Sequence, residues 1–353
     1  MRQFYRVGLL LAVVLPLLAG GPAGAAVPGA DNALRRYLRD LDPAFAWQGG
    51  ELESGGIRRL RLTSQKWRES LWHHDILMVD PRTTRHSDAA LVLITGSRKL
   101  DRYIPYLTLL ANRAGAPAAV VNNVPNQPLY DGRREDALIA YTFNEYLKTG
   151  DETWPLVFPM VKSAVRAMEA ISELSVREGG RPIGRFVLTG ASKRGWTTWL
   201  TAPVDRRVVG IAPMVFDILN MHVQTDWAKQ VWGRQSEQIA DYTELGLIGR
   251  DDGERRTQLY EWIDPYVSRR RYTMPKLLLL GTNDRYWPVD ATRHYYRDLA
   301  EPKAIHQTPN LGHDIGRSRA MPHALAAFAR SVLDGRQLPR LTTRITGGRW
   351  QTA

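Results

Sequence analysis

A serine, an aspartate and a histidine, each set where an apolar run gives way to a turn, carry the chemistry available to this sequence. Phe186-Val187-Leu188-Thr189-Gly190-Ala191-Ser192 reads as a strand entering a tight turn, and Lys193-Arg194-Gly195 opens the helix that follows. A serine held there sits on a strained backbone with its hydroxyl exposed, the setting of a nucleophile. Read alone, the same serine is equally a helix N-cap. A nucleophilic serine also needs a base to take its proton and an acid to orient that base. The run Leu277 to Leu280 ends in Gly281-Thr282-Asn283-Asp284, and the run near Lys303 to Gln307 is followed by Asn310-Leu311-Gly312-His313. Nucleophile, acid and base thus occur in the order Ser192, Asp284, His313. Asp217 and Asp290 are alternatives for the acid, and Asp284 could instead serve its own turn.

The tetrahedral intermediate of acyl transfer needs hydrogen-bond donors for its oxyanion. The backbone N–H of Lys193 is one, and Gly96 or Ser97, just after the run Ala89 to Ile94, is placed to supply another. Lys193 and Arg194 put positive charge at a helix start, mildly unfavourable against the helix dipole. Arg194 is therefore a candidate for binding substrate, together with Trp196 and Trp287. His73-His74-Asp75 looks metal-like, but neighbouring residues on a strand face opposite ways. No zinc-type helix motif occurs, so no metal or other cofactor is expected.

The elements that must position these residues follow from periodicity. Ala89 to Ile94 is apolar without interruption, as a strand covered on both faces should be. Strands are also expected at Ile57–Lys66, Asp75–Val79, Ala116–Val121, Arg185–Leu188, Val208–Val215 and Met274–Leu280. Helices are expected at Asp31–Asp40, Glu135–Lys148, Trp154–Val176, Asp290–Leu299 and Arg319–Leu333. This alternation, with Ser-Asp-His in chain order, predicts an α/β-hydrolase fold: a mostly parallel central sheet with helices on both faces. Asp217 to Tyr272 has few strand signals and several tryptophans, and reads as a helical lid insertion. The domain boundaries are a signal peptide over 1–25, a leader over 26–56, the hydrolase domain over 57–335 with its lid at about 217–272, and a tail over 336–353. Arg2, Arg6, the apolar stretch from Val7 to Leu18 and Ala23-Gly24-Ala25 supply the parts of a cleavable signal. The chain is expected to be periplasmic or secreted, with no stable membrane insertion after cleavage.

The 353 residues carry a formal charge of +12 and no cysteine. A cysteine nucleophile, disulfides and thiolate metal sites are therefore excluded. The arginine excess is scattered in doublets without a nucleic-acid-binding signature, so nucleic acid is not an expected partner.

Gly190-Ala191-Ser192-Lys193-Arg194-Gly195-Trp196-Thr197-Thr198-Trp199-Leu200-Thr201-Ala202 closely resembles the signature of the PhoPQ-activated pathogenicity-related protein family. Val124-Pro125-Asn126-Gln127-Pro128-Leu129, Glu135-Asp136-Ala137, Val215-Phe216-Asp217-Ile218-Leu219-Asn220 and Pro309-Asn310-Leu311-Gly312-His313 resemble it too. The resemblance spans roughly Asp31 to Leu333 and implies an exported α/β-hydrolase-type protein, without naming a substrate. A more distant similarity is to glucuronoyl esterases, whose Gly-x-Ser-Arg-x-Gly elbow has Lys193 in place of its arginine here; it implies an acidic-sugar ester as one option. Two functions follow. The first is a serine esterase acting on a small-molecule or glycan ester, which an anionic group could mark. The second is a non-catalytic envelope protein that binds glycan or peptide on a hydrolase scaffold.

Overall fold

The computed structural model describes residues 32–40, 42–249 and 253–339, together with the backbone of 343–346 and 349–352. The signal peptide expected over 1–25 lies outside the described residues. The strands are β1 (Ala46–Glu53), β2 (Ile57–Trp67), β3 (Ser70–Val79), β4 (Ala89–Ile94), β5 (Ala118–Val121), β6 (Arg185–Ala191), β7 (Val208–Met214), β8 (Lys276–Gly281) and β9 (Lys303–Thr308). They form one nine-stranded sheet in the order β1-β2-β3-β5-β4-β6-β7-β8-β9. From β5 to β9 every pairing is parallel, while β1, β2 and β3 join by antiparallel pairing. Part of the stretch read as a leader thus supplies the edge strand β1. The tail contributes a separate antiparallel pair, β10 (Thr343–Thr346) and β11 (Arg349–Thr352).

The helices are α1 (Ala33–Arg39), α2 (Ile104–Ala114), α3 (Glu135–Thr149), α4 (Val157–Arg177), α5 (Lys193–Thr201), α6 (Met221–Trp232), α7 (Ala240–Glu244), α8 (Glu254–Ile263) and α9 (Met321–Leu333). Two apolar clusters explain the uninterrupted strands. Ala90, Val92 and Ile94 of β4 pack with α3, α4 and α5 on one face. Ala89, Leu91 and Leu93 pack with α2 and α9 on the other. Each residue of such a strand is core, because alternate side chains enter different layers. Among the described residues, no helix is long and apolar enough to cross a membrane.

Helix α5 is buried along its whole length, which makes its threonines costly unless their hydroxyls are satisfied. Thr197, Thr198 and Thr201 donate to the carbonyls of Lys193, Arg194 and Thr197, at 3.0, 2.8 and 2.7 Å. The segment from Asp217 to Tyr272 forms a helical lid from α6, α7 and α8. Asp264 ties its ends together, accepting the N–H groups of Met221 at 2.7 Å and Tyr266 at 2.9 Å.

One expected helix is not α-helical. Asp290 to Leu299 folds as two short 3-10 turns, Ala291–His294 and Tyr296–Asp298. The lid draws off the carbonyls that a helix there would use: Gln224 donates to Ala291 at 2.8 Å and Asn220 to His294 at 3.1 Å. Tyr295 between the turns is pulled inward, its hydroxyl donating to Asp217 at 2.5 Å.

Candidate active site

Strand β6 delivers Ser192 with φ 57° and ψ −123°. A non-glycine residue with positive φ is strained, and such strain gathers at functional sites. The turn is held by contacts that need glycine. A Cβ on Gly190 would lie 2.6 Å from the Arg194 carbonyl oxygen, and one on Gly195 would lie 2.9 Å from that of Met214. Gly195, one position later than the usual elbow glycine, thus lets α5 close onto the end of β7. The Ser192 N–H donates to the Met214 carbonyl at 2.8 Å. As the first residue of α5, Lys193 has an N–H with no partner inside the helix.

His313, in the loop after β9, and Asp284, in the loop after β8, meet at 2.8 Å through Nδ1 and Oδ2. The other carboxylate oxygen, Oδ1, accepts the Tyr286 N–H at 2.9 Å. The Tyr286 ring stacks on the imidazole, with centroids 4.0 Å apart and planes 28° apart. The histidine is thereby fixed at one nitrogen and one face. Its Nε2 is buried and makes no hydrogen bond among the described residues. The alternative acids are engaged elsewhere. Asp217 accepts from Tyr295, and burial pushes its carboxyl up to about 7. Asp290 accepts from Trp227 Nε1 at 2.9 Å and from Arg293 at 3.1 Å.

Ser192, Lys193, Trp196, Trp287 and His313 share the walls of one cavity. Gly96, Ser97 and Arg194 are not among its walls. The Ser97 N–H donates to Thr95 Oγ1 at 3.2 Å. Gly96 lies against Arg194, where a Cβ would come 1.8 Å from the guanidinium. Trp196 stacks on Phe216 at 5.3 Å and donates its Nε1–H to the Ile263 carbonyl at 2.6 Å.

The two cations after the serine are spent on carboxylates that open α3. Arg194 meets Glu135 with two bonds of 2.6 Å, a bidentate pairing suited to guanidinium and carboxylate. Burial raises the Glu135 pKa, but its bonds to Arg194 and the charges of Arg194 and Lys193 outweigh this and hold it at about 2. Lys193 Nζ reaches Asp136 at 2.7 Å. Asp136 also accepts from the lid residue Tyr242 at 2.9 Å, and burial and then the Asp136 charge push the Tyr286 hydroxyl pKa up to about 12. Sequence reading missed these roles of Glu135, Asp136, Tyr242 and Tyr286. The signals at Glu135 and Asp136 were an acidic pair at a helix start, which the dipole alone would account for, and a family resemblance that named no role.

His73 and His74 part as strand geometry requires. His74 is buried, with Nδ1 2.9 Å from the Asn122 carbonyl and Nε2 3.0 Å from Ser64 Oγ. Burial lowers its pKa to about 4, so it serves the core as a neutral ring.

The architecture has relatives among solved structures. An acetyl xylan esterase from a Thermoanaerobacterium species aligns over 85% of this chain and 92% of its own, with a TM-score of 0.59 and 17% identity. One from a Paenibacillus species aligns over 84% and 92%, with a TM-score of 0.59 and 14% identity. At such identity the likeness shows the α/β-hydrolase fold. By sequence, the chain is 31% identical over 338 residues to autocrine proliferation repressor protein A of Dictyostelium discoideum, covering 88% of this chain and 67% of that protein. The family model of the PhoPQ-activated pathogenicity-related proteins matches residues 34–353. With that match spanning nearly the whole described structure, the chain belongs to the PhoPQ-activated pathogenicity-related proteins.

Proposed function

We propose that this protein is an exported serine esterase working through a Ser192–His313–Asp284 triad. The observation that carries the reading is one cavity shared by a serine on a strained elbow and a histidine whose far nitrogen is fixed by a carboxylate. Asp284 accepts a hydrogen bond from Nδ1–H, which fixes the tautomer and leaves Nε2 as the basic nitrogen. Ser192 Oγ adds to the ester carbonyl carbon while its proton passes to His313. The oxyanion is met by the Lys193 N–H. Collapse of the intermediate breaks the carbon–oxygen bond to the alcohol, which leaves with the proton from His313. Water, deprotonated by the same nitrogen, then releases the carboxylic acid and restores Ser192.

Tight pairing of Lys193 and Arg194 with Asp136 and Glu135 supports a structural duty for both cations over recognition of an anionic substrate. That the named structural relatives are esterases supports ester over amide cleavage. The test is covalent labelling of the folded protein by a fluorophosphonate, beside Ser192→Ala and His313→Ala. Labelling of the wild type alone is expected. A well-folded wild type that takes no label would overturn the esterase reading and favour a binding protein on this scaffold.

A further inference from the structure

Ser192, His313, Lys193, Asp136 and Tyr286 are among the polar residues of the cavity wall, and Lys193 and Asp136 satisfy one another. Lys193 and Tyr242 occupy the two oxygens of Asp136. Most of the remaining wall is hydrocarbon and aromatic, including Phe143 and Leu147 of α3, Ile218 after β7, Leu247 after α7, and Leu259 and Ile263 of α8. Arg256, also in the wall, donates to the Gly246 carbonyl at 2.8 Å. A sugar bound here would bury hydroxyls against carbon, and an unpaired buried hydroxyl is costly. An alkyl chain would lose only its contact with water, which favours binding.

Direction within the cavity follows from the proton. The leaving alcohol must face His313 Nε2 to receive its proton. His313, Tyr286 and Trp287 come from the loops after β8 and β9, whereas the apolar wall comes from α3, the loop after β7 and the lid. The carbonyl substituent directed away from His313 is the acyl group. We infer that the substrate is an ester of an apolar monocarboxylic acid whose alkyl chain lies in the cavity beneath the lid, with Leu247 setting the length accepted. Leu247 is placed to do so because its backbone is pinned on both sides. Its N–H donates to the Tyr242 carbonyl at 2.9 Å and its own carbonyl accepts the Tyr260 hydroxyl at 3.0 Å. The inference rests on the esterase reading and adds the class of acid to it.

The experiment measures kcat/KM for p-nitrophenyl acetate, butyrate, hexanoate, octanoate and decanoate, beside a series of acetates of lengthening alcohols. Each buried methylene is expected to raise kcat/KM about fourfold in the acyl series until the cavity is filled. Partial burial still leaves hexanoate about tenfold or more above acetate, and the alcohol series is expected to stay flat. Leu247→Trp is expected to cut the hexanoate-to-acetate ratio about fivefold or more. Leu247→Ala is expected to move the preferred acid to a longer chain, and it decides the matter should the tryptophan variant not fold. A flat or falling acyl series, or a rise confined to the alcohol series, overturns the acyl-chain assignment while fluorophosphonate labelling keeps the esterase. No labelling and no hydrolysis of any ester overturns both.

Discussion

Asp284→Asn tests the orientation of His313, because the structure dictates how the new amide must sit. Asp284 Oδ1 accepts the Tyr286 N–H at 2.9 Å, and Oδ2 faces His313 Nδ1 at 2.8 Å. Asparagine has one acceptor to offer. If its oxygen stays with Tyr286, its NH2 donates to Nδ1, the ring proton moves to Nε2, and the histidine can no longer take the serine proton. The flipped amide restores the tautomer but sets its NH2 against the Tyr286 N–H. A buried unsatisfied donor costs about 1–3 kcal/mol, so the productive arrangement falls about 5- to 150-fold. The imidazolium formed during attack also loses its counter-charge. At about 4 Å and an effective dielectric near 20 this is worth about 4 kcal/mol, or roughly three decades in rate. Together these predict a loss of about four to five decades, alongside the ~10⁴-fold seen for the same change in a chymotrypsin-type triad. The assay is kcat/KM on a p-nitrophenyl ester together with the rate of fluorophosphonate labelling, on protein whose thermal melt matches wild type. A folded variant within tenfold of wild type by both readouts would show that Asp284 does not orient the base.

Two further outcomes rest on Glu135 and Asp217. Glu135→Gln removes the charge that holds Arg194, and about 1–3 kcal/mol of stability is expected to go at neutral pH, towards the lower end because the Glu135 side chain is 40% exposed. The folded pKa of about 2 lies below the ordinary glutamate value. This contribution is therefore present above about pH 4 and lost as pH falls towards 2. Urea melts of the two proteins should converge over that interval, and a constant gap would refute the assignment. Asp217 has the opposite sign, its carboxyl raised by burial to about 7. The folded state binds its proton more tightly than the unfolded state, so this group lowers stability as pH rises from about 4 to 7. Asp217→Asn should lack that slope and gain on wild type by pH 8. Its esterase activity should stay within tenfold, and a loss as large as that of Asp284→Asn would make Asp217 the acid.

Local order was legible in the sequence because its signals are short-range. Alternate burial on two covered faces makes β4 an uninterrupted apolar run and leaves β6, β7 and β8 mostly apolar. A strand, a glycine turn and a helix start announce the elbow of Ser192. The lid was visible as a stretch without strand signals between β7 and β8. The region expected as a helix at Asp290 to Leu299 was not legible as 3-10 turns, because Asn220 and Gln224, far away in sequence, take its carbonyls.

Tertiary structure alone decided where charges and side chains go. Asp217, Asp284 and Asp290 are equally aspartates in loops, and only the packing of the β8 and β9 loops brings Asp284 to His313 while burying Asp217 against Tyr295. Lys193 and Arg194 read as cations offered to a substrate until α3 is seen to bring Glu135 and Asp136 onto them, 59 and 57 residues back along the chain. The apolar cavity belongs to no segment: its walls come from α3, α5, the loop after β7 and the lid. Strand, turn and helix signals are written over neighbouring residues and survive in a linear reading. Ion pairs and cavities join side chains remote in sequence, so they exist only once the sheet has set its layers.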